Sequence, residues 1–101
     1  MGKSFEIVVR HNTTAKRFEA DIEGDLALLD YEIEKHSMVL THTFVPPPLR
    51  GRGIAEALVR AALDYARLEK HSIVPACSYV ARFVARHPVY ADLLHGNRTA
   101  N

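Results

Sequence analysis

The residues Arg50-Gly51-Arg52-Gly53 place two guanidinium groups and two glycines just ahead of a helix-forming stretch. Glycine allows positive φ and lets the backbone approach a ligand closely. A helix that begins near Gly53 leaves its first amide N–H groups without partners and directs the positive end of its dipole there. Because amides and guanidinium groups bind phosphate well, these residues predict an anion site for a phosphate or pyrophosphate.

Two common phosphate-binding motifs do not fit this segment. A Walker A loop requires Lys-Ser or Lys-Thr after its glycines, and neither pair follows here. The dinucleotide motif GxGxxG would need a glycine where Glu56 stands, and an opening βαβ unit as well. The segment that remains to be explained is RGRGIA, residues 50–55.

This segment resembles the R/Q-x-x-G-x-G/A motif of the GNAT superfamily of N-acetyltransferases. Four other segments match the compact, single-domain members of that family in the same order: HTFV at 42–45, YAR at 65–67, PACSYV at 75–80 and HPVY at 87–90. The resemblance extends over residues 38–90, which is most of the chain.

The resemblance implies an enzyme that binds acetyl-CoA and transfers the acetyl group to an unidentified amine acceptor. The motif would hold the pyrophosphate of the cofactor, through residues Arg50, Gly51, Arg52, Gly53, Ile54 and Ala55. Backbone N–H groups around Phe44 and Val45 would contact the acetyl carbonyl and the pantetheine arm. Ser78 and Tyr79 complete the cofactor-binding residues that we expect.

His42 and Cys77 are the candidate catalytic residues. Histidine is the usual general base near neutral pH, and His42 lies two residues before Phe44. A helix N-terminus lowers a thiol pKa, and Cys77 precedes a predicted helix. Cys77 could accept the acetyl group, protonate the CoA thiolate or form a mixed disulfide with CoA. The alternatives are a hydrogen-bonded structural histidine and an inert buried cysteine.

Other polar residues have weaker claims to a role. Tyr79 could also act as an acid, or it could be a core aromatic residue. Arg82 and Arg86 lie one turn apart and could reach a CoA phosphate or remain solvated. Glu32 and Glu34 could be bases or simply the solvated side of a strand. No metal site is predicted, because the histidines and the cysteine lack paired CxxC or HxxxH spacing.

Composition narrows the class of protein. The chain has 101 residues, which predicts one domain over residues 1–96 and a polar tail over 97–101. A net charge of +1 disfavours nucleic acid as a partner. No run of about eighteen apolar residues is present, so we expect no membrane span. The single cysteine indicates a reducing cytoplasm, and the small size allows a monomer or a homodimer.

Hydrophobic periodicity predicts the elements that position these residues. Strands are expected at 5–9, 17–23, 29–34, 38–45 and 72–77, with a turn at 11–14. A helix of about sixteen residues should begin near Gly53, and a shorter one, capped by Ser78, should stop near Pro88. The fold class is therefore α/β (α+β): a four-strand antiparallel meander, a helix, a fifth strand parallel to the fourth, and a short C-terminal helix.

Two details of this arrangement bear on function. Met38, Leu40, His42 and Phe44 should share one face of the fourth strand. Full-length GNAT proteins carry two helices between their first two strands, which help to form the acceptor wall. Residues 11–16 are too few for them. The alternative function is therefore a CoA- or acyl-CoA-binding module without turnover.

Overall fold

A five-stranded mixed sheet organises the chain in a computed structural model that describes residues 6–94. The strands are β1 (Arg10–Asn12), β2 (Arg17–Ile22), β3 (Asp25–Glu34), β4 (Ser37–Phe44) and β5 (Ser72–Pro75). The helices are α1 (Ile54–Glu69) and α2 (Ser78–Arg86), and 3-10 helices occupy Pro47–Leu49 and Pro88–Leu93. The sheet order follows the sequence; β1 to β4 are antiparallel, and β4 and β5 are parallel. The predicted α/β fold is confirmed.

Helix α1 packs against β2, β3, β4 and β5 on one face of the sheet. Its buried row recurs every fourth residue, at Ile54, Leu58, Ala62 and Ala66, all at most 1% exposed. The two alanines allow the helix backbone to lie close to the sheet. This packing fixes the first turn of α1 beside the loop that follows β4.

The prediction for the first strand was wrong. Strand β1 is Arg10–Asn12, within the stretch expected to be a turn, and the turn residues are 13–16. Ile7 and Val9 pack against the core without pairing in the sheet, because the β1–β2 ladder runs only from Arg10↔Glu19 to Asn12↔Arg17. Position 5 and the predicted tail at 97–101 lie outside the described residues.

Strand β5 ends two residues earlier than expected. Its last pair with β4 is Leu40↔Pro75, and proline has no N–H to continue a ladder. The Cys77 amide still donates to the Leu40 carbonyl at 2.9 Å, and α2 begins immediately afterwards. Strand β4, however, continues to Phe44. Its last part therefore extends beyond its ladder with β5 and borders an open gap.

Candidate functional site

The first turn of α1 carries amides that no side chain among residues 6–94 caps. Gly53 is the N-cap residue at φ +80°, and the first helical hydrogen bond runs from the Ala57 amide to the Gly53 carbonyl at 3.1 Å. Gly51 also has a positive φ of +85°. The N–H groups of Ile54, Ala55 and Glu56 therefore lie at the positive end of the helix dipole.

A cavity of approximately 450 Å³ lies next to these amides. Eight of the ten predicted cofactor-binding residues line it: Phe44, Val45, Arg50, Gly51, Gly53, Ile54, Ala55 and Tyr79. Arg52 and Ser78 do not. The sequence reasoning missed three lining residues, Thr43, Leu49 and Glu56. Leu49 is 1% exposed and anchors the loop through apolar packing, a role that residue type alone does not distinguish from core packing elsewhere.

The two arginines of the motif point to different neighbours. The Arg50 Nε donates to the Val45 carbonyl at 2.8 Å, and the guanidinium carbon lies 6.0 Å from the centre of the Phe44 ring. Arg52 forms an ion pair of 3.8 Å with Glu23, in the turn between β2 and β3. Arg50 is thus held at the cavity, whereas Arg52 is directed towards the edge of the loop.

A β-bulge at Thr41 decides which side chains of β4 reach this region. Tyr31 pairs with Leu40 but Asp30 pairs with His42, which leaves Thr41 as an extra residue. Beyond the bulge, Leu29 pairs with Thr43. Leu29 is fully buried on the core side, so Thr43 lies on that side too.

The bulge overturns one prediction about β4. Met38 and Leu40 are buried, but His42 and Phe44 are exposed and belong to the opposite face. The prediction that all four share one face is wrong beyond Leu40, because an extra residue reverses the alternation of side chains. His42 is therefore not brought towards Cys77.

Thr43 takes the place beside the cysteine. Its Oγ1 lies 3.5 Å from the Cys77 Sγ, across the gap where β5 has ended. Cys77 is the N-cap residue of α2, rather than the predicted Ser78, and is partly buried. Nothing in the sequence spacing marks Thr43, because its position depends on the bulge.

The environment of Cys77 favours the thiolate. Burial raises the pKa of the thiol. Hydrogen bonds from the Thr43 hydroxyl and from the backbone amides of Val80, Tyr79 and Thr43 lower it, and together they outweigh the effect of burial. The net result is a pKa below the ordinary value. This is the expected effect of N–H and O–H donors at the start of a helix, and it increases the fraction of nucleophilic sulfur.

Tyr79 and Glu56 form the side of the cavity nearest α2. Burial raises the pKa of Tyr79, the Glu56 carboxylate raises it further, and Arg86 and Arg82 oppose the increase. Glu56 itself accepts hydrogen bonds of 3.3 and 3.0 Å from the Arg60 Nε and Nη2. The carboxylate at the helix start is thus paired with a guanidinium group of its own helix.

No group of three or more His, Cys, Asp or Glu side chains within residues 6–94 is arranged to hold a metal ion. In the same range, neither helix is both long and apolar enough to cross a bilayer.

A sequence profile described as GCN5-related N-acetyl-transferase matches residues 17–93. The match includes β2, the bulged strand β4, the glycine loop, α1 and Cys77. The chain belongs to the GCN5-related N-acetyltransferase family.

Full-length relatives of this GNAT chain are of similar size. Protein NATD1 of Xenopus tropicalis is 36% identical over 92 residues, covering 88% of this chain and 84% of that protein. Protein NATD1 of Homo sapiens is 37% identical over 86 residues, covering 82% and 76%. Protein NATD1 of Danio rerio is 36% identical over 98 residues, covering 91% and 89%.

The connection between β1 and β2 is short. It consists of residues 13–16, which form a turn, where the sequence predicted a connection over residues 11–16. The two helices that full-length GNAT proteins carry at this point are therefore replaced by a tight connection.

Proposed function

We propose that this chain binds acetyl-CoA and transfers its acetyl group to an amine. The observation that carries the proposal is the continuous cavity from the uncapped amides of α1 to Thr43, which contacts Cys77. The diphosphate of the cofactor would lie against the amides of Ile54 and Ala55, with Arg50 beside it. The thioester end would then lie towards the gap between β4 and β5.

The free part of β4 is suited to the pantetheine arm. Backbone groups alternate between the two edges of a strand, and the Leu40 carbonyl is directed to β5. After the bulge at Thr41, this alternation directs the backbone groups of Thr43 and Val45 to the β5 side. Because the Val45 carbonyl accepts from Arg50 and the Thr43 amide faces Cys77, a ligand would pair with the Thr43 carbonyl and the Val45 amide. An extended ligand with amide groups can pair with such an edge as an added strand.

Cys77 would act on the acetyl group itself. Its thiolate attacks the acetyl carbonyl, so that a carbon–sulfur bond to Cys77 forms and the bond to the CoA sulfur breaks. CoA leaves as a thiolate and takes a proton from solvent. A neutral amine then attacks the Cys77 thioester, the amide forms, and the amine proton passes to the departing Cys77 sulfur.

Mixing the protein with acetyl-CoA and a pool of amines and peptides tests this proposal. We expect CoA release above the rate without protein, and acetylated Cys77 in a digest taken before the amines are added. Cys77→Ala should slow transfer by at least about tenfold and leave CoA affinity within about twofold. Equal turnover by wild type and Cys77→Ala would make the cysteine structural.

The short connection between β1 and β2 supports a second candidate, a CoA-binding module without turnover. Residues 13–16 leave no room between β1 and β2 for the two helices that help to form the acceptor wall in full-length GNAT proteins. Calorimetric binding of CoA, combined with no CoA release from acetyl-CoA in the amine pool, would favour this alternative over the enzyme.

A further inference from the structure

A second cavity, of approximately 290 Å³, opens beside the first. Its lining residues are Glu56, Tyr79, Arg82, Phe83, Arg86 and His87. Glu56 and Tyr79 line both cavities, so a ligand in the first can extend a substituent into the second.

The charged residues that line this second cavity differ in whether they have an ion-pair partner. Glu56 is engaged by Arg60 at 3.0 Å. Arg82 and Arg86 are four residues apart on α2 and therefore lie on the same side of the helix. Within residues 6–94, no carboxylate lies within ion-pair distance of either guanidinium group. The cavity thus has two adjacent positive charges that the described residues leave uncompensated.

Phe83 and His87 form the floor of the second cavity, beside these arginines. The His87 ring stacks on Phe83 at 4.0 Å between centroids and 19° between planes. The His87 Nδ1 lies 2.8 Å from the Phe83 carbonyl, and since a carbonyl only accepts, that nitrogen carries the hydrogen. The ring orientation is therefore fixed, and the cavity has a rigid aromatic floor.

We propose that Arg82 and Arg86 bind a phosphate monoester carried by the same ligand, the 3′-phosphate of coenzyme A. This inference depends on the proposed function, because the ligand in the first cavity supplies the monoester. Paired guanidinium groups match the charge and the acceptor geometry of a phosphate monoester. The protein should therefore distinguish CoA from 3′-dephospho-CoA, which share the diphosphate and the pantetheine arm.

Calorimetry with CoA and 3′-dephospho-CoA tests the assignment. We expect wild type to bind CoA at least about tenfold more tightly than 3′-dephospho-CoA. The double variant Arg82→Gln/Arg86→Gln should lose that preference while keeping its affinity for 3′-dephospho-CoA. The control Lys35→Gln/Lys70→Gln removes the same net charge at two exposed turns that line neither cavity, and it should keep the preference.

The outcomes separate this inference from the proposed function. If wild type binds CoA and 3′-dephospho-CoA equally, the monoester site is refuted and the cofactor assignment stands. If wild type binds neither ligand, the proposed function is refuted, and the monoester site that depends on it is refuted as well. If both double variants lose the preference equally, the effect is one of overall charge, and the role of Arg82 and Arg86 is overturned.

Discussion

The hydroxyl oxygen of Thr43 lies 3.5 Å from the sulfur of Cys77, although 34 positions separate the two residues in sequence. Two local features produce this contact. The bulge at Thr41 turns Thr43 to the core side of β4, and Pro75 ends the β5 ladder so that Cys77 can begin α2 next to it. The ends of the two strands thus determine the surroundings of the sulfur.

Removing the Thr43 hydroxyl should make Cys77 less reactive. Thr43→Val keeps the shape of the side chain but removes one of the donors that lower the pKa of the thiol. The pH midpoint of Cys77 alkylation by iodoacetamide should move upward, and the rate at neutral pH should fall roughly two- to tenfold. Thr41→Val is the matched control, because the Thr41 hydroxyl donates to the Asp30 carbonyl instead. An unchanged midpoint in Thr43→Val would contradict the role given to this contact.

The bulge leads to a prediction about His42. Since His42 is exposed on the opposite face of β4, His42→Ala should alter neither CoA affinity nor the alkylation rate of Cys77 by more than about twofold. Measuring both properties, together with acetyl transfer, separates the possible roles. Loss of transfer alone would show that an amine reaches the site from the His42 face and uses this histidine as its base.

A carboxylate at position 53 should prevent binding of an anionic ligand. Gly53→Asp places a negative charge at the amides of α1 and should weaken CoA binding by at least about tenfold. Gly53→Asn has nearly the same shape without the charge, and asparagine tolerates the positive φ best among residues with side chains. A Cβ at this position meets no atom of residues 6–94 within 4 Å. Equal CoA affinity in the two variants, measured by calorimetry, would exclude the proposed diphosphate position.

The environment of the His11 ring should make the free energy of unfolding depend on pH. It stacks on Phe18 at 4.1 Å, its Nε2 lies 2.6 Å from the Tyr31 hydroxyl, and burial lowers its pKa. Just below the ordinary histidine value of about 6.5, the unfolded chain therefore binds more protons than the folded one, and stability falls as pH decreases.

Urea unfolding at about pH 7.5 and about pH 5.5 measures this decrease. His11→Phe should reduce the difference between the two pH values, even though its stability at the higher pH is lower. His36→Gln, at an exposed turn, should leave the difference as in wild type. A decrease of the same size in His11→Phe and wild type would rule out His11 as its source.

The sequence predicted most of the fold because its strongest patterns are local. The helix Ile54–Glu69 follows from its apolar periodicity and the preceding glycines, and the parallel pairing of β4 and β5 follows from the crossover through that helix. The prediction of a strand at 5–9 was wrong because alternating apolar residues indicate which side chains are buried. They do not show that the backbone pairs with another strand. Ile7 and Val9 are partly buried, and no strand within residues 6–94 pairs with them.

The candidate site was predictable where it depends on the backbone of a contiguous loop. Glycines at 51 and 53 indicate positive φ, and both residues have it. The contact between Thr43 and Cys77 was not predictable, because a single extra residue at Thr41 reverses the alternation and leaves no compositional mark. The ion pair between Glu56 and Arg60 is of the local kind that i, i+4 spacing on a helix allows.

The extra residue in β4 also affects the design of variants and the alignment of this chain with its relatives. Whether threonine or histidine lies beside the sulfur depends on the unpaired residue between Leu40 and His42. If the bulge were lost with the sequence unchanged, Leu29 would pair with His42, and His42 would take the core-side position that Thr43 holds. A misplaced gap here in an alignment of relatives would likewise assign the wrong residue to the position beside Cys77.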